Sequence, residues 1–138
     1  MKQFKFSLFI LATTLVLGLS NSALSQSNSE PGDFKITVGY ENQQLNLHCE
    51  YGCAWTELNF SLGQSSKPQF INEMGMTSKA DEQTARTDLA HFLFSFTRIE
   101  NKISCESVFG TNWDLLEFSC PEATCNAEID KSGVFVRN

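Results

Sequence analysis

The sequence has few residues of the kinds that most enzymes use in their active sites. It contains two histidines, His48 and His91, and no motif of catalysis surrounds either of them. There is no G-x-S-x-G nucleophile elbow, no H-E-x-x-H metal motif, no glycine-rich phosphate loop and no dinucleotide fingerprint. The sequence therefore predicts no cofactor and favours a function other than catalysis.

Basic residues are also scarce, because ten Lys and Arg stand against sixteen Asp and Glu, a formal net charge of −6. An acidic chain repels the phosphate backbone of nucleic acids, and it lacks the basic patch that attracts proteins to anionic membranes. No segment after the first 25 residues is apolar enough to cross a bilayer. We therefore expect neither a nucleic-acid partner nor a membrane span in the mature chain, and a protein or a small ligand remains as the partner.

The first 25 residues have the pattern of a secretory signal peptide. Lys2 and Lys5 form a positive n-region, residues 6–19 are an apolar run, and an Ala-Leu-Ser sequence ends at Ser25. Cleavage after Ser25 would leave residues 26–138, with eight basic and sixteen acidic residues, as a secreted or periplasmic protein. The alternative is a retained anchor helix, which the short apolar run disfavours.

A segment of the sequence recurs after 58 residues without a gap, so that residues 33–76 align with residues 91–134. Both tryptophans of the chain fall at one equivalent position, Trp55 and Trp113. The shared pattern is G-x-x-W-x-x-L-x-F-S, then nine residues, then I-[ND]-x-x-G-[MV]. We predict a duplicated unit of about 44 residues, with a connector over residues 77–90.

Each unit has the period-two alternation of half-buried strands, as in Ile36 and Val38 of one copy and Phe94 and Phe96 of the other. Turn-forming residues separate four such strands in each unit. A unit of about 44 residues is too short to bury a core alone. We therefore predict an all-β domain over residues 26–138 in which two four-stranded meanders pack with pseudo-twofold symmetry, as a sandwich or an eight-stranded barrel. The connector suits either a short helix or a flexible linker.

Five cysteines follow the predicted cleavage site, and an exported chain meets an oxidising compartment, so we expect disulfides and at least one unpaired thiol. Cys105 lies where the first unit has Leu47, which makes it the expected core thiol. The other four form two closely spaced pairs. A four-cysteine zinc site is the disfavoured alternative, because such sites are rarer in oxidising compartments, and we predict no metal. The predicted bridges are Cys49–Cys53 and Cys120–Cys125.

The two tryptophans are the best indication of a binding site in the sequence. If the third strand extends back to Trp55, the indole shares a face with polar residues, and two such exposed indoles would make a binding platform. In the alternative, which we favour, the Gly-x-x-Trp turn folds each ring over the end of the core, because large aromatic rings in small β domains are mostly structural. The candidate binding residues of the platform are Trp55, Trp113, Glu57 and Asn59.

Two functions from different classes follow from these patterns. The first is an exported non-catalytic binding or interaction protein of unknown ligand. The second is a small exported hydrolase that uses His48 or His91 with a carboxylate. A histidine within hydrogen-bond reach of Asp or Glu at the floor of a pocket would favour the hydrolase. The sequence favours the binding protein and identifies no catalytic residue.

Overall fold

The computed structural model describes residues 32–64, 67–79, 88–121 and 124–137. These residues form ten β-strands, and no helix occurs among them. The predicted all-β class is thereby confirmed. The predicted signal peptide and residues 80–87 of the connector, where a short helix is one alternative, lie outside the described residues.

The ten strands are β1 Lys35–Glu41, β2 Gln44–Tyr51, β3 Glu57–Ser61, β4 Gln69–Asn72, β5 Gly75–Thr77, β6 Leu93–Ile99, β7 Lys102–Phe109, β8 Leu115–Ser119, β9 Thr124–Asp130 and β10 Gly133–Arg137. They form two five-stranded antiparallel sheets. The first sheet has the strand order β10-β9-β1-β2-β3, and the second sheet has the order β5-β4-β6-β7-β8. The two sheets pack together as a sandwich and do not close into a barrel.

Two hairpins, β4–β5 and β9–β10, join the sheet opposite to the strands that precede them, and we name them the crossing hairpins. β4 pairs with β6, where Ile71 lies opposite Phe94, and β9 pairs with β1, where Ile129 lies opposite Ile36. The structure thus differs from the predicted four-stranded meanders in two respects. Each unit has five strands, and only its first three form a meander. Alternation along a strand predicts which face is buried, but it does not predict which strand lies beside it.

The strand pairings of the two sheets correspond at the 58-residue offset found in the sequence. The register shift between Lys35 and Ile36 has its counterpart between Leu93 and Phe94. The matching pairings describe how the two units fold, and not how they arose in evolution. The duplication therefore stays a prediction.

The core lies between the sheets and consists of inward-facing side chains from both of them. The rings of Phe34 and Phe92 contact each other with centroids 4.5 Å apart, and Phe94 lies 6.0 Å from Phe34. Each of these side chains is at most 1% exposed. Because burying one large apolar side chain stabilises a protein by about 1.5–3 kcal/mol, these rings hold the two sheets together.

Both predicted disulfides are present, between Cys49 and Cys53 and between Cys120 and Cys125. The four cysteines that a zinc site would need therefore form these disulfides instead. Cys105 is the free, buried thiol, as predicted. Burial raises the pKa of the Cys105 thiol well above its ordinary value, so this side chain is no nucleophile at neutral pH. Two disulfides are compatible with an oxidising extracellular environment.

Candidate functional site

The two tryptophans attach the crossing hairpins to the loops that precede β3 and β8. The indole N–H of Trp55 donates to the backbone oxygen of Asn72 at 3.0 Å. The indole N–H of Trp113 donates to the backbone oxygen of Asp130 at 2.9 Å. Trp113 is 8% exposed, and its ring lies edge-on to Phe94 with centroids 5.4 Å apart. Trp55 is half-buried against the same core. Each indole therefore makes both a core contact and a hairpin contact.

Trp55 does not share a face with Glu57 and Asn59. β3 begins at Glu57, and residues 52–56 form a loop that packs the indole against the core. The premise that the strand extends back to Trp55 is therefore wrong. Glu57 and Asn59 are exposed on the face of β3 that points away from the core. A ligand-binding role for Trp55 and Trp113 stays a prediction, without the support of strand alternation.

The outer face of the first sheet carries Glu57 and Asn59 among other polar side chains. The register of the strands brings side chains from neighbouring strands into rows that cross this face. Such rows combine residues that are far apart in the sequence, since β9 lies beside β1. Two adjacent rows, in the order β9-β1-β2-β3, are Asn126, Gly39, Asn46 and Asn59, and Glu128, Thr37, His48 and Glu57.

Gly39 leaves a gap in the first of these rows. Because glycine has no side chain, Asn126 and Asn46 flank an open groove of about 400 Å³, which we name the Gly39 groove. A second groove of about 390 Å³ shares these three residues and continues toward Thr124. The Gly39 groove is lined by Thr37, Gly39, Asn46, Leu47, His48, Glu57, Asn59 and Asn126.

Opposite charges are paired beside the Gly39 groove. Lys35 Nζ lies 3.1 Å from a carboxylate oxygen of Glu50 and 3.1 Å from one of Glu128, which Arg137 also contacts. The hydrogen bonds from Arg137 and then Lys35 hold the pKa of Glu128 below its ordinary value. The same contact with Glu128, and then that with Glu50, raises the pKa of Lys35. Both basic groups are thus paired with carboxylates, and the groove itself offers amides, a hydroxyl, an imidazole and the carboxylate of Glu57.

The corresponding place in the second sheet is filled by a side chain. Gly39 lies opposite Asn46 in the first sheet, and the matching pair in the second sheet is Thr97 opposite Ser104. The hydroxyl-bearing side chain of Thr97 takes the place of the gap, and a serine takes the place of the amide. The Gly39 groove therefore belongs to one sheet, and Thr97 provides a matched position for control substitutions.

A histidine–carboxylate pair lies where the first crossing hairpin meets β6. The carboxylate of Glu73, which is 1% exposed, lies 3.2 Å from Nδ1 of His91 and accepts the backbone N–H of Phe92 at 3.3 Å. The His91 ring lies against Phe109, with centroids 4.6 Å apart. Sequence reasoning missed Glu73, because it stands just before a turn glycine and resembles an exposed turn residue. Only the pairing of β4 with β6 brings it to His91.

The described ranges contain no group of three or more His, Cys, Asp or Glu side chains placed to hold a metal ion. They also contain no helix that is long and apolar enough to span a bilayer. Comparison of the chain with protein-family models, with curated proteins and with solved structures gives no match. The geometry of the Gly39 groove and of the Glu73–His91 pair is therefore the basis for inferring a function.

Proposed function

We propose that this protein is an exported, non-catalytic binding protein whose ligand occupies the Gly39 groove. The observation that carries the proposal is the gap at Gly39 between the exposed residues Asn46 and Asn126. Glycine inside a strand weakens the strand, and it often marks a site where a ligand approaches closely. Glu57 and Asn59, two of the binding residues expected from the sequence, line the same groove.

The chemistry of the groove favours an uncharged ligand rich in hydroxyl groups, such as a short glycan. Each Asn side chain offers two N–H donors and a carbonyl acceptor, which complements hydroxyl groups that both donate and accept. Lys35 and Arg137, the basic residues described on this face, are already paired with carboxylates. Residues 26–138 carry sixteen acidic and only eight basic residues, an excess that also repels anions. Phosphorylated and other anionic ligands are therefore disfavoured.

Export is supported by the leader sequence of residues 1–25 and by the two disulfides. We expect protein recovered outside the cytoplasm to have the intact mass of residues 26–138 with both bridges closed. Mass spectrometry before and after reduction measures both features. A recovered protein that still contains residues 1–25 would contradict the predicted cleavage.

Filling the groove tests the binding proposal directly. Gly39→Val is expected to lower the affinity for neutral oligosaccharides by at least about tenfold, or about 1.4 kcal/mol, because the new side chain occupies the ligand's place. Titration calorimetry with oligosaccharides selected on a glycan array measures the loss. A Cβ atom at Gly39 would lie 3.5 Å from Asn126 Oδ1, which is an ordinary contact, and valine suits a strand. The melting temperature is therefore expected to stay close to that of the parent protein.

Thr97→Val is the matched control, because it places the same side chain at the corresponding register of the second sheet. This variant is expected to keep both the affinity and the melting temperature. Unchanged binding by Gly39→Val would rule out the groove as the ligand site. If the parent protein binds no neutral oligosaccharide but binds anionic ones, the proposed ligand class is wrong.

The alternative function is a small exported hydrolase, and the Glu73–His91 pair is the observation that favours it. The surroundings of the pair favour a structural role instead. One carboxylate oxygen of Glu73 accepts the N–H of Phe92, and the His91 ring packs on Phe109. Turnover of a chromogenic acetate ester that His91→Gln abolishes would favour the hydrolase over the binding protein.

A further inference from the structure

The two crossing hairpins make contacts at matching positions, with an acid on one hairpin and a base on the other. In the first hairpin, Glu73 lies 3.2 Å from Nδ1 of His91, which stands two residues before β6. In the second hairpin, Lys131 Nζ lies 2.7 Å from Oδ1 of Asp33, which stands two residues before β1. The two pairs occupy matching positions at the 58-residue offset. The acid and the base have therefore exchanged places between the two contacts.

The backbone contacts around these pairs do not distinguish one hairpin from the other. The N–H of Ala54 donates to the backbone oxygen of Glu73 at 2.7 Å, and the N–H of Asn112 donates to that of Lys131 at 2.7 Å. The strand registers beside the two contacts also correspond. A hairpin placed on the wrong sheet would therefore find the same backbone hydrogen bonds along the strand.

A hairpin on the wrong sheet would lose its acid–base partner. The first hairpin on β1 would bring Glu73 beside Asp33, and the second hairpin on β6 would bring Lys131 beside His91. At the native site beside β6, Glu73 is 1% exposed and its carboxylate accepts the N–H of Phe92. A lysine in place of Glu73 would leave that N–H without its acceptor. Two acids side by side and a buried donor without an acceptor are both unfavourable.

We propose that the exchanged positions of acid and base make each crossing hairpin pair with the first strand of the other unit. They disfavour pairing with the first strand of its own unit, which we call the like unit, whether in the same chain or in a second copy of this chain. A second copy is the relevant competitor, because it presents the same strand edges to either hairpin. Without this difference, a hairpin could pair with the like unit of a second copy as readily as with its native partner, and such pairing would join chains into dimers or longer assemblies.

Inverting one contact tests this proposal at constant amino-acid composition. Asp33→Lys combined with Lys131→Asp keeps an ion pair inside the chain but gives both hairpin turns an acid and both facing positions a base. We expect this double variant to melt near the parent protein. After refolding at high protein concentration, its oligomeric fraction is expected to be about tenfold larger, because the acid of each hairpin can then pair with the base of either unit. Size-exclusion chromatography with light scattering measures that fraction.

Two further variants separate pairing specificity from general effects of charge. Lys131→Asp alone places two acids together and is expected to melt below both the parent and the double variant. Lys102→Glu with Glu117→Lys inverts an exposed pair 3.7 Å apart on β7 and β8 and is expected to leave the oligomeric fraction unchanged. The proposal is overturned if the double variant refolds with the parent's oligomeric fraction, if it is less stable than Lys131→Asp, or if the control inversion oligomerises equally.

Discussion

Replacing Gly110 by alanine is expected to lower the free energy of unfolding by about 3 kcal/mol or more. Gly110 follows β7 with φ +83°, in the left-handed region that disfavours other residues. An alanine Cβ would lie 2.6 Å from Phe92 Cα and closer still to the backbone oxygen of His91. Because backbone atoms cannot rotate away as the end of a side chain can, the start of β6 would have to move. Urea unfolding of the variant measures the loss.

The neighbourhoods of the other glycines provide the controls for this substitution. Gly52 occupies the matching position with φ +90°, and its added Cβ would lie 2.6 Å from Phe34 Cβ, so Gly52→Ala is expected to behave like Gly110→Ala. At Gly63, the nearest atom to an added Cβ is Gln43 Oε1 at 3.7 Å. Gly63→Ala is therefore expected to change the free energy of unfolding by less than about 1 kcal/mol. Equal effects at Gly110 and Gly63 would contradict the close-approach explanation.

The faces of the strands could be predicted from the sequence, whereas their neighbours could not. Alternation correctly separated Ile36, Phe94 and Phe96, which are buried, from polar residues such as His48. It could not assign the fourth strand of each unit to the opposite sheet, because alternation carries no information about the pairing strand. The last strands, β5 and β10, were missed since Gly75 and Gly133 look like the ends of the units, although each glycine begins a strand.

Part of the candidate site could be predicted for the same reason. Glu57 and Asn59 alternate with apolar residues on β3, so their exposure follows from the sequence. Asn126 joins them only because β9 crosses to β1, which places it beside Gly39. Nothing in the sequence distinguishes Gly39, except that it is a small residue at a position of β1 that faces away from the core. The groove depends on the strand order, and the order depends on contacts between residues distant in the chain.

Truncating Trp113 to alanine is expected to lower the free energy of unfolding by about 3–5 kcal/mol. The ring is 8% exposed, packs edge-on against Phe94, and donates its N–H to the backbone oxygen of Asp130. Trp55→Ala is expected to lower the free energy of unfolding by less than Trp113→Ala does, because Trp55 is only half-buried. Trp113→Phe keeps most of the apolar contact but leaves the Asp130 oxygen without its donor, for an intermediate loss of about 1–3 kcal/mol. Thermal and urea unfolding of the three variants give the order.

The opposite result would restore the binding platform that the sequence suggested. If Trp55 and Trp113 bind a ligand through exposed faces, both alanine variants should have a free energy of unfolding within about 1 kcal/mol of the parent's. They should nevertheless lose affinity for oligosaccharides. Fluorescence separates the two cases in the intact fold, because Trp55→Phe leaves Trp113 as the single indole. A buried Trp113 emits at shorter wavelength than indole in water and resists quenching by iodide. Water-like emission with ready quenching would mean that the ring faces solvent, and the hairpin contact with Asp130 would then not hold in solution.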